Sequence, residues 1–172
     1  MFARNETSAP FAMPALCLIF YIASMFWASF IEATVWIAIV WLVKGFMLNQ
    51  CRKLLELPRQ DVNVGLWRRR FILIELLNGV ALAAFALIGI TKGVPSASEA
   101  AFSSHVFIFA TLMVVLAIRM TFASTIPQVF YAGTIPMTLA VGGRLLSLGD
   151  PFYIALASVS YTHLTLPTIY PV

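Results

Sequence analysis

Charged residues are scarce in this chain: Asp, Glu, Lys and Arg together make up 10% of the sequence, against roughly 25% in ordinary soluble domains. Hydrophobic residues make up 61%, which excludes an ordinary soluble globular domain. The composition predicts an all-α membrane protein with several spans. The net charge of +4 does not predict nucleic-acid binding, because the basic residues lie beside membrane-length apolar runs rather than among exposed aromatic residues.

Patterns that would indicate chemistry are also missing. Cys17 lies in an apolar run and Cys51 in a basic stretch, so we expect no disulfide between them. Before residue 159 there is no His/Cys/Asp cluster with metal-ligand spacing, no phosphate-binding glycine loop and no Ser/His/Asp set that could assemble in one leaflet. We therefore predict no catalytic, metal-binding or cofactor-binding residue in this chain.

Basic residues concentrate between two apolar runs. Residues 44–70 hold seven of the 11 Lys and Arg residues and two acids. Short loops rich in Lys and Arg stay on the cytoplasmic side of an inner membrane, so this stretch predicts a cytoplasmic loop and, with it, a cytoplasmic N-terminus. The predicted topology-determining residues are Lys44, Arg52, Lys53, Arg59, Arg68, Arg69 and Arg70.

The first apolar run is too long to be one span. Residues 11–43 contain one charged residue, Glu32, and as a single helix they would measure about 50 Å against a hydrocarbon core of about 30 Å. The run must therefore fold back. We predict the turn at residues 29–34, where Ser29, Glu32 and Thr34 interrupt the hydrophobicity, and we interpret Glu32 as a solvated turn residue.

The apolar runs predict five complete transmembrane helices and the start of a sixth. Trp27 and Trp36 flank the first turn, where indole rings favour the membrane interface. Residues 51–57 can extend the second helix, and Pro58 would end it. The predicted spans are residues 11–28, 33–48, 71–90, 105–124 and 127–146, with the sixth starting at residue 152, all within a membrane domain of residues 1–158.

Ionisable residues within the predicted spans are the candidates for a functional role, because charge at membrane depth is costly. Glu75 and Arg119 would form an intramembrane ion pair if the third and fourth spans pack as an antiparallel hairpin. Either residue could instead take part in proton or ligand binding. His105, at the outer end of the fourth span, could sense pH. The polar loop 91–104 is predicted to lie outside.

The last residues do not continue this pattern. Residues 159–168, VSYTHLTLPT, resemble the translation of a transposon-end adapter used in sequencing libraries, GTC TCT TAT ACA CAT CTG ACG CTG CCG ACG. Residues 169–172 would then cover the barcode and a following codon. We therefore interpret 159–172 as adapter-derived and expect the natural protein to continue beyond about residue 158.

The order of features resembles the N-terminal membrane domain of bacterial sensor histidine kinases of the alphaproteobacterial type. The likeness extends over most of residues 11–158. Similar domains also precede diguanylate cyclase (GGDEF) and EAL modules. The segments that carry the resemblance are 67–71 (WRRRF), 117–127 (AIRMTFASTIP), 131–136 (YAGTIP) and 149–153 (GDPFY).

This resemblance implies a membrane input module and anchor in a bacterial inner membrane. The family's phosphoacceptor His, and the domain that binds ATP and Mg²⁺, would follow the sixth helix, so the resemblance assigns no catalytic residue here. It also implies a homodimer and a response regulator as partner of the intact protein. A GGDEF/EAL enzyme, a small transporter or permease component, and a membrane scaffold remain as alternatives.

Overall fold

The structure, a computed structural model, describes residues 2–58, 63–88, 107–108, 110–111, 113–115 and 127–147. All regular secondary structure in these ranges is helical, as the sequence predicts. The described residues of 107–115 are helical too. The principal elements are α1 (Phe2–Ser8), α2 (Ala12–Ser24), α3 (Phe30–Glu56), α4 (Val64–Ala83) with a 3₁₀ turn at Ala84–Leu87, and α5 (Pro127–Ser147).

Two of these helices are long and apolar enough to cross a membrane: α3, and α4 together with its 3₁₀ turn. Helix α2 has 13 residues and is about 20 Å long, so it is shorter than the hydrocarbon core. The prediction of five spans and part of a sixth stays a prediction. Outside the described residues lie Arg59, His105, Arg119, the loop 91–104, and everything after residue 147, including the sixth span and the tail 159–172.

The turn between α2 and α3 lies earlier than predicted. Helix α2 ends at Ser24, and α3 begins at Phe30 after an extended Ser29. Thr34 does not break the helix because its hydroxyl donates to the Phe30 carbonyl at 2.7 Å and lies 3.1 Å from the Tyr21 hydroxyl. Glu32 is partly buried in the first turn of α3, where a carboxylate interacts favourably with the helix dipole.

The connection from α3 to α4 follows the sequence closely. Helix α3 ends at Glu56, and Leu57 has extended backbone angles, as the residue before Pro58 should. The predicted helical extension of the second span is therefore confirmed. The Asn63 side chain accepts a hydrogen bond from the Leu66 N–H at 3.2 Å, and this N-cap begins α4.

The core consists of two apolar clusters at different heights. Along the chain, α3 contributes residues first to the distal cluster and then to the basal cluster. Helices α4 and α5 contribute first to the basal cluster and then to the distal one. Helices α4 and α5 are therefore parallel to each other and antiparallel to α3. The basal cluster is Ala3, Met47, Cys51, Trp67, Phe71, Ile74, Val129 and Phe130. The distal cluster includes Phe20, Trp36, Val40, Ala81, Phe85, Ile108, Met137 and Val141.

Helices α4 and α5 touch through their backbones. A Cβ atom built on Gly79 would collide with the carbonyl oxygen of Gly133 and lie 2.7 Å from its Cα. No side chain fits between the helices at this point. Small residues at a helix crossing are typical of membrane bundles, where van der Waals packing rather than the hydrophobic effect drives helix association.

Trp36 belongs to the core rather than to the membrane interface predicted for it. Its indole N–H donates to the Ala81 carbonyl at 2.9 Å, and its ring lies 4.7 Å from that of Phe85. Helix α4 tightens to 3₁₀ geometry three residues after Ala81, and such transitions leave carbonyl groups without their usual partner. The indole satisfies this carbonyl and joins α3 to the end of α4.

Candidate functional site: a buried polar layer

Polar side chains occupy the level between the two apolar clusters. On α3, Lys44 lies between Val40 of the distal cluster and Met47 of the basal cluster. On α4, Glu75 and Asn78 lie between Ile74 of the basal cluster and Ala81 of the distal cluster. On α5, Thr134 lies between Phe130 and Met137 in the same way. We define the polar layer by these residues and by the α1 residue that contacts Lys44: Glu6, Lys44, Glu75, Asn78 and Thr134.

An ion pair between α1 and α3 is the central contact of this layer. The Lys44 ammonium donates to Glu6 Oε2 at 2.6 Å, and each side chain is 10% exposed. The short distance and low exposure describe a charge-assisted hydrogen bond shielded from solvent. Helix α1 is therefore attached to the interior of the bundle by an ion pair.

A small cavity lies beside this pair, between α2, α3 and α4. It has room for about one water molecule, about 10 Å³. Cys17, Lys44 and Asn78 supply its polar lining, and apolar side chains supply the rest. Cys17 and Cys51 are both buried free thiols, which agrees with the expectation that they form no disulfide.

The α4 side of the layer holds Glu75 and Asn78, which are 1% and 4% exposed. Cys51 of the basal cluster lies within electrostatic range of Glu6, Lys44 and Glu75. On α5 the Thr134 hydroxyl is fully buried and has no hydrogen-bond partner among the described residues. The layer thus joins α1, α3, α4 and α5.

The structure divides the predicted topology-determining residues into two groups. Lys44 is buried within α3 and forms the ion pair with Glu6; its role in topology stays a prediction. Arg59 lies outside the described residues. The others lie at the solvent-exposed surface near the α3–α4 connection: Arg52, Lys53, Arg68, Arg69 and Arg70.

The predicted pair of Glu75 and Arg119 stays a prediction, since Arg119 is not among the described residues, and the same holds for a role of His105. Sequence reasoning missed Glu6 because its partner Lys44 is 38 residues away. A signal was available, however. A lysine within the apolar part of α3 needs a counter-charge, and the chain has only seven Asp and Glu residues to supply one.

The polar layer can act through its ionic interactions and through changes in helix packing. No group of three or more His, Cys, Asp or Glu side chains that could hold a metal ion occurs in the part of the chain that the structure describes. The layer contains charges whose mutual distances depend on how four helices pack. Small changes of packing would therefore carry a large electrostatic cost or gain.

Comparison with known proteins adds no relative. The chain matches no protein-family model, no curated protein and no solved structure.

Proposed function

We propose that the chain is the membrane-embedded N-terminal input module of a bacterial two-component sensor histidine kinase. The observation that carries this proposal is the buried polar layer: an ion pair and further polar groups enclosed between two apolar clusters in a helical bundle. The sequence resemblance supports the kinase assignment. In the intact protein, the module would act as a homodimer, and a response regulator would receive the phosphoryl group.

The outward faces of the helices support insertion in a membrane. Large apolar side chains of α3 and α4 point away from the core and are exposed, an arrangement that is unfavourable in water and favourable in lipid. They include Ile31, Val35, Ile39, Leu42, Phe46, Leu73, Leu77 and Val80. The exposed basic residues of the described ranges lie at one end of the bundle, which favours a cytoplasmic position for that end and for the N-terminus.

In this proposal, the polar layer is the part that responds. A stimulus shifts an equilibrium only if it binds two packings of the bundle with different affinity. Rotation or translation of α4 against α5 at Gly79 would move Glu75 and Asn78 relative to the Glu6–Lys44 pair, so the layer gives two packings different electrostatic energies. A sixth helix would pass the difference to a cytoplasmic coiled coil and the catalytic domain.

The first test is the gene itself. Amplification of the locus from source DNA should give, after codon 158, the remainder of a sixth helix, a dimerisation helix with a phosphoacceptor His and an ATP-binding domain. A GGDEF or EAL motif would instead assign the module to a cyclic-di-GMP enzyme. Recovery of the codons for 159–172 in genomic DNA would overturn the adapter interpretation.

The second test is functional. The completed protein, reconstituted in vesicles with ATP and Mg²⁺, should autophosphorylate, and Lys44→Met should change the rate severalfold without changing ATP affinity. An equal rate of autophosphorylation in the wild type and the variant would show that the polar layer takes no part in signalling. The matched control is Leu42→Met, an exposed position on the same helix.

A transporter component is the second candidate, favoured by the cavity beside Lys44 and by Pro136 inside α5, since broken helices often line substrate sites. It predicts solute or ion flux across vesicles that contain this chain alone, whereas the input-module proposal predicts none.

A further inference from the structure

Three helices bring exposed basic side chains to the basal end of the bundle. Arg4 lies on α1, Arg52 and Lys53 lie near the end of α3, and Arg68 to Arg70 lie in the first two turns of α4. Glu56 is the exposed acid on the last turn of α3. We call the six basic residues the basic rim: Arg4, Arg52, Lys53, Arg68, Arg69 and Arg70.

Buried neighbours place these residues at one level of the bundle. Ala3, Cys51 and Trp67 are members of the basal cluster, and each is the chain neighbour of a rim residue. The rim residues therefore lie at the height of that cluster, on three different helices. No member of the rim forms an ion pair with an acid in the described ranges, so their charges are available to an external partner.

Trp67 and Arg70 give the rim a defined geometry. The Arg70 guanidinium carbon lies 5.3 Å from the centre of the Trp67 ring, and Trp67 packs against Phe71 with ring centres 5.8 Å apart. This cation–π contact holds the Arg70 guanidinium against a buried ring of the basal cluster. Leu66 and Leu73 on the same helix are exposed, so apolar and cationic contacts lie side by side.

We propose that the basic rim binds the phosphate groups of anionic phospholipids. Guanidinium groups match phosphate oxygens with two parallel N–H donors, and the adjoining leucines would contact the acyl chains of the same lipids. Free phosphate would engage the charges but not the apolar side chains, so the surface fits a lipid. The proposal requires membrane insertion but does not depend on a signalling role.

The test is lipid retention by the full chain purified in neutral detergent. The protein is equilibrated with equimolar phosphatidylglycerol and phosphatidylcholine, and the bound lipids are counted by native mass spectrometry. The wild type should retain several times more phosphatidylglycerol, and raising the salt concentration should reduce that ratio. The triple variant R68Q/R69Q/R70Q removes three of the six rim charges and should bring the ratio close to one.

Two controls define the result. R68K/R69K/R70K keeps the charge and should keep a ratio above one, whereas R144Q removes a charge at the opposite end of the bundle and should leave the ratio unchanged. Helix content by circular dichroism identifies any variant that fails to fold, in which case the wild-type salt series decides. A wild-type ratio of one, a ratio insensitive to salt, or a wild-type ratio in the glutamine variant would overturn the proposal.

Discussion

Among the basic residues in the described ranges, Lys44 is the one that forms a buried ion pair. Its charge is inside a helical bundle, and Glu6 makes that position tolerable by accepting its hydrogen bond at 2.6 Å. Removing one partner of a buried pair leaves the other charge uncompensated, which costs more than the pair itself contributes. The two residues should therefore behave as one unit in mutational tests.

We expect Lys44→Met to destabilise the bundle by about 3–5 kcal/mol, because Glu6 would remain buried without its partner. Glu6→Gln combined with Lys44→Met should recover most of that loss, since two neutral side chains replace the pair. Reversible unfolding in mixed micelles measures both free energies. Equal destabilisation in the single and double variants would show that Lys44 contributes by packing alone.

Trp36 shows how one side chain can satisfy a backbone group that the helix itself leaves free. Trp36→Phe keeps the ring contact with Phe85 but removes the donor to the Ala81 carbonyl. We expect a loss of about 1–3 kcal/mol, the cost of an unsatisfied buried polar group. Faster amide exchange near the end of α4 should accompany it. Trp41→Phe, at an exposed position of α3, is the matched control and should have little effect.

At the scale of helices, the contact of α4 with α5 depends on the absence of one side chain. Gly79→Ala places a Cβ atom against the backbone of Gly133. We expect destabilisation of about 1–3 kcal/mol, typical of overpacking, measured by the same unfolding assay. Backbone cannot move aside as a flexible side chain would.

Gly143→Ala provides the comparison for that substitution. Gly143 lies on α5 with open space around its Cβ position, so alanine should be neutral or stabilise the helix by up to about 1 kcal/mol. If both alanine variants changed stability equally, helix propensity rather than the α4–α5 crossing would explain the Gly79 result.

Local sequence signals predicted the ends of the helices well where one residue type dictates the backbone. Pro58 ended α3 as expected, and the polar residues 29–34 pointed to a turn within four residues of the observed one. The error arose at Thr34, whose hydroxyl bonds to the helix itself and so allows α3 to begin earlier. Hydropathy registers Thr34 as polar and contains no information on its partner.

The polar layer was harder to predict for a related reason. Glu75 stood out as a charge within an apolar run, but the layer depends on contacts between residues far apart in sequence, such as Glu6 and Lys44. The inward orientation of Trp36 likewise depends on the carbonyl of Ala81, 45 residues away. Composition and periodicity predict which segments are helices, not which of their polar residues meet.

For the whole molecule, the exposed basic residues predict how the chain inserts. Replacing Arg68, Arg69 and Arg70 with Glu should disturb insertion or reverse the orientation of the α3–α4 connection, because positive charge determines which loops remain in the cytoplasm. Accessibility of a tag in that connection to a membrane-impermeant reagent measures the outcome in cells. A cytoplasmic tag in the variant would show that Arg52, Lys53 and the remaining basic residues suffice.

The contact between Glu6 and Lys44 also affects the order of assembly during synthesis. Glu6 leaves the ribosome 38 residues before its partner, so α1 has no ionic attachment until Lys44, in the middle of α3, has been made. The first helix to be synthesised can therefore form its native ionic contact only after a later helix has been made.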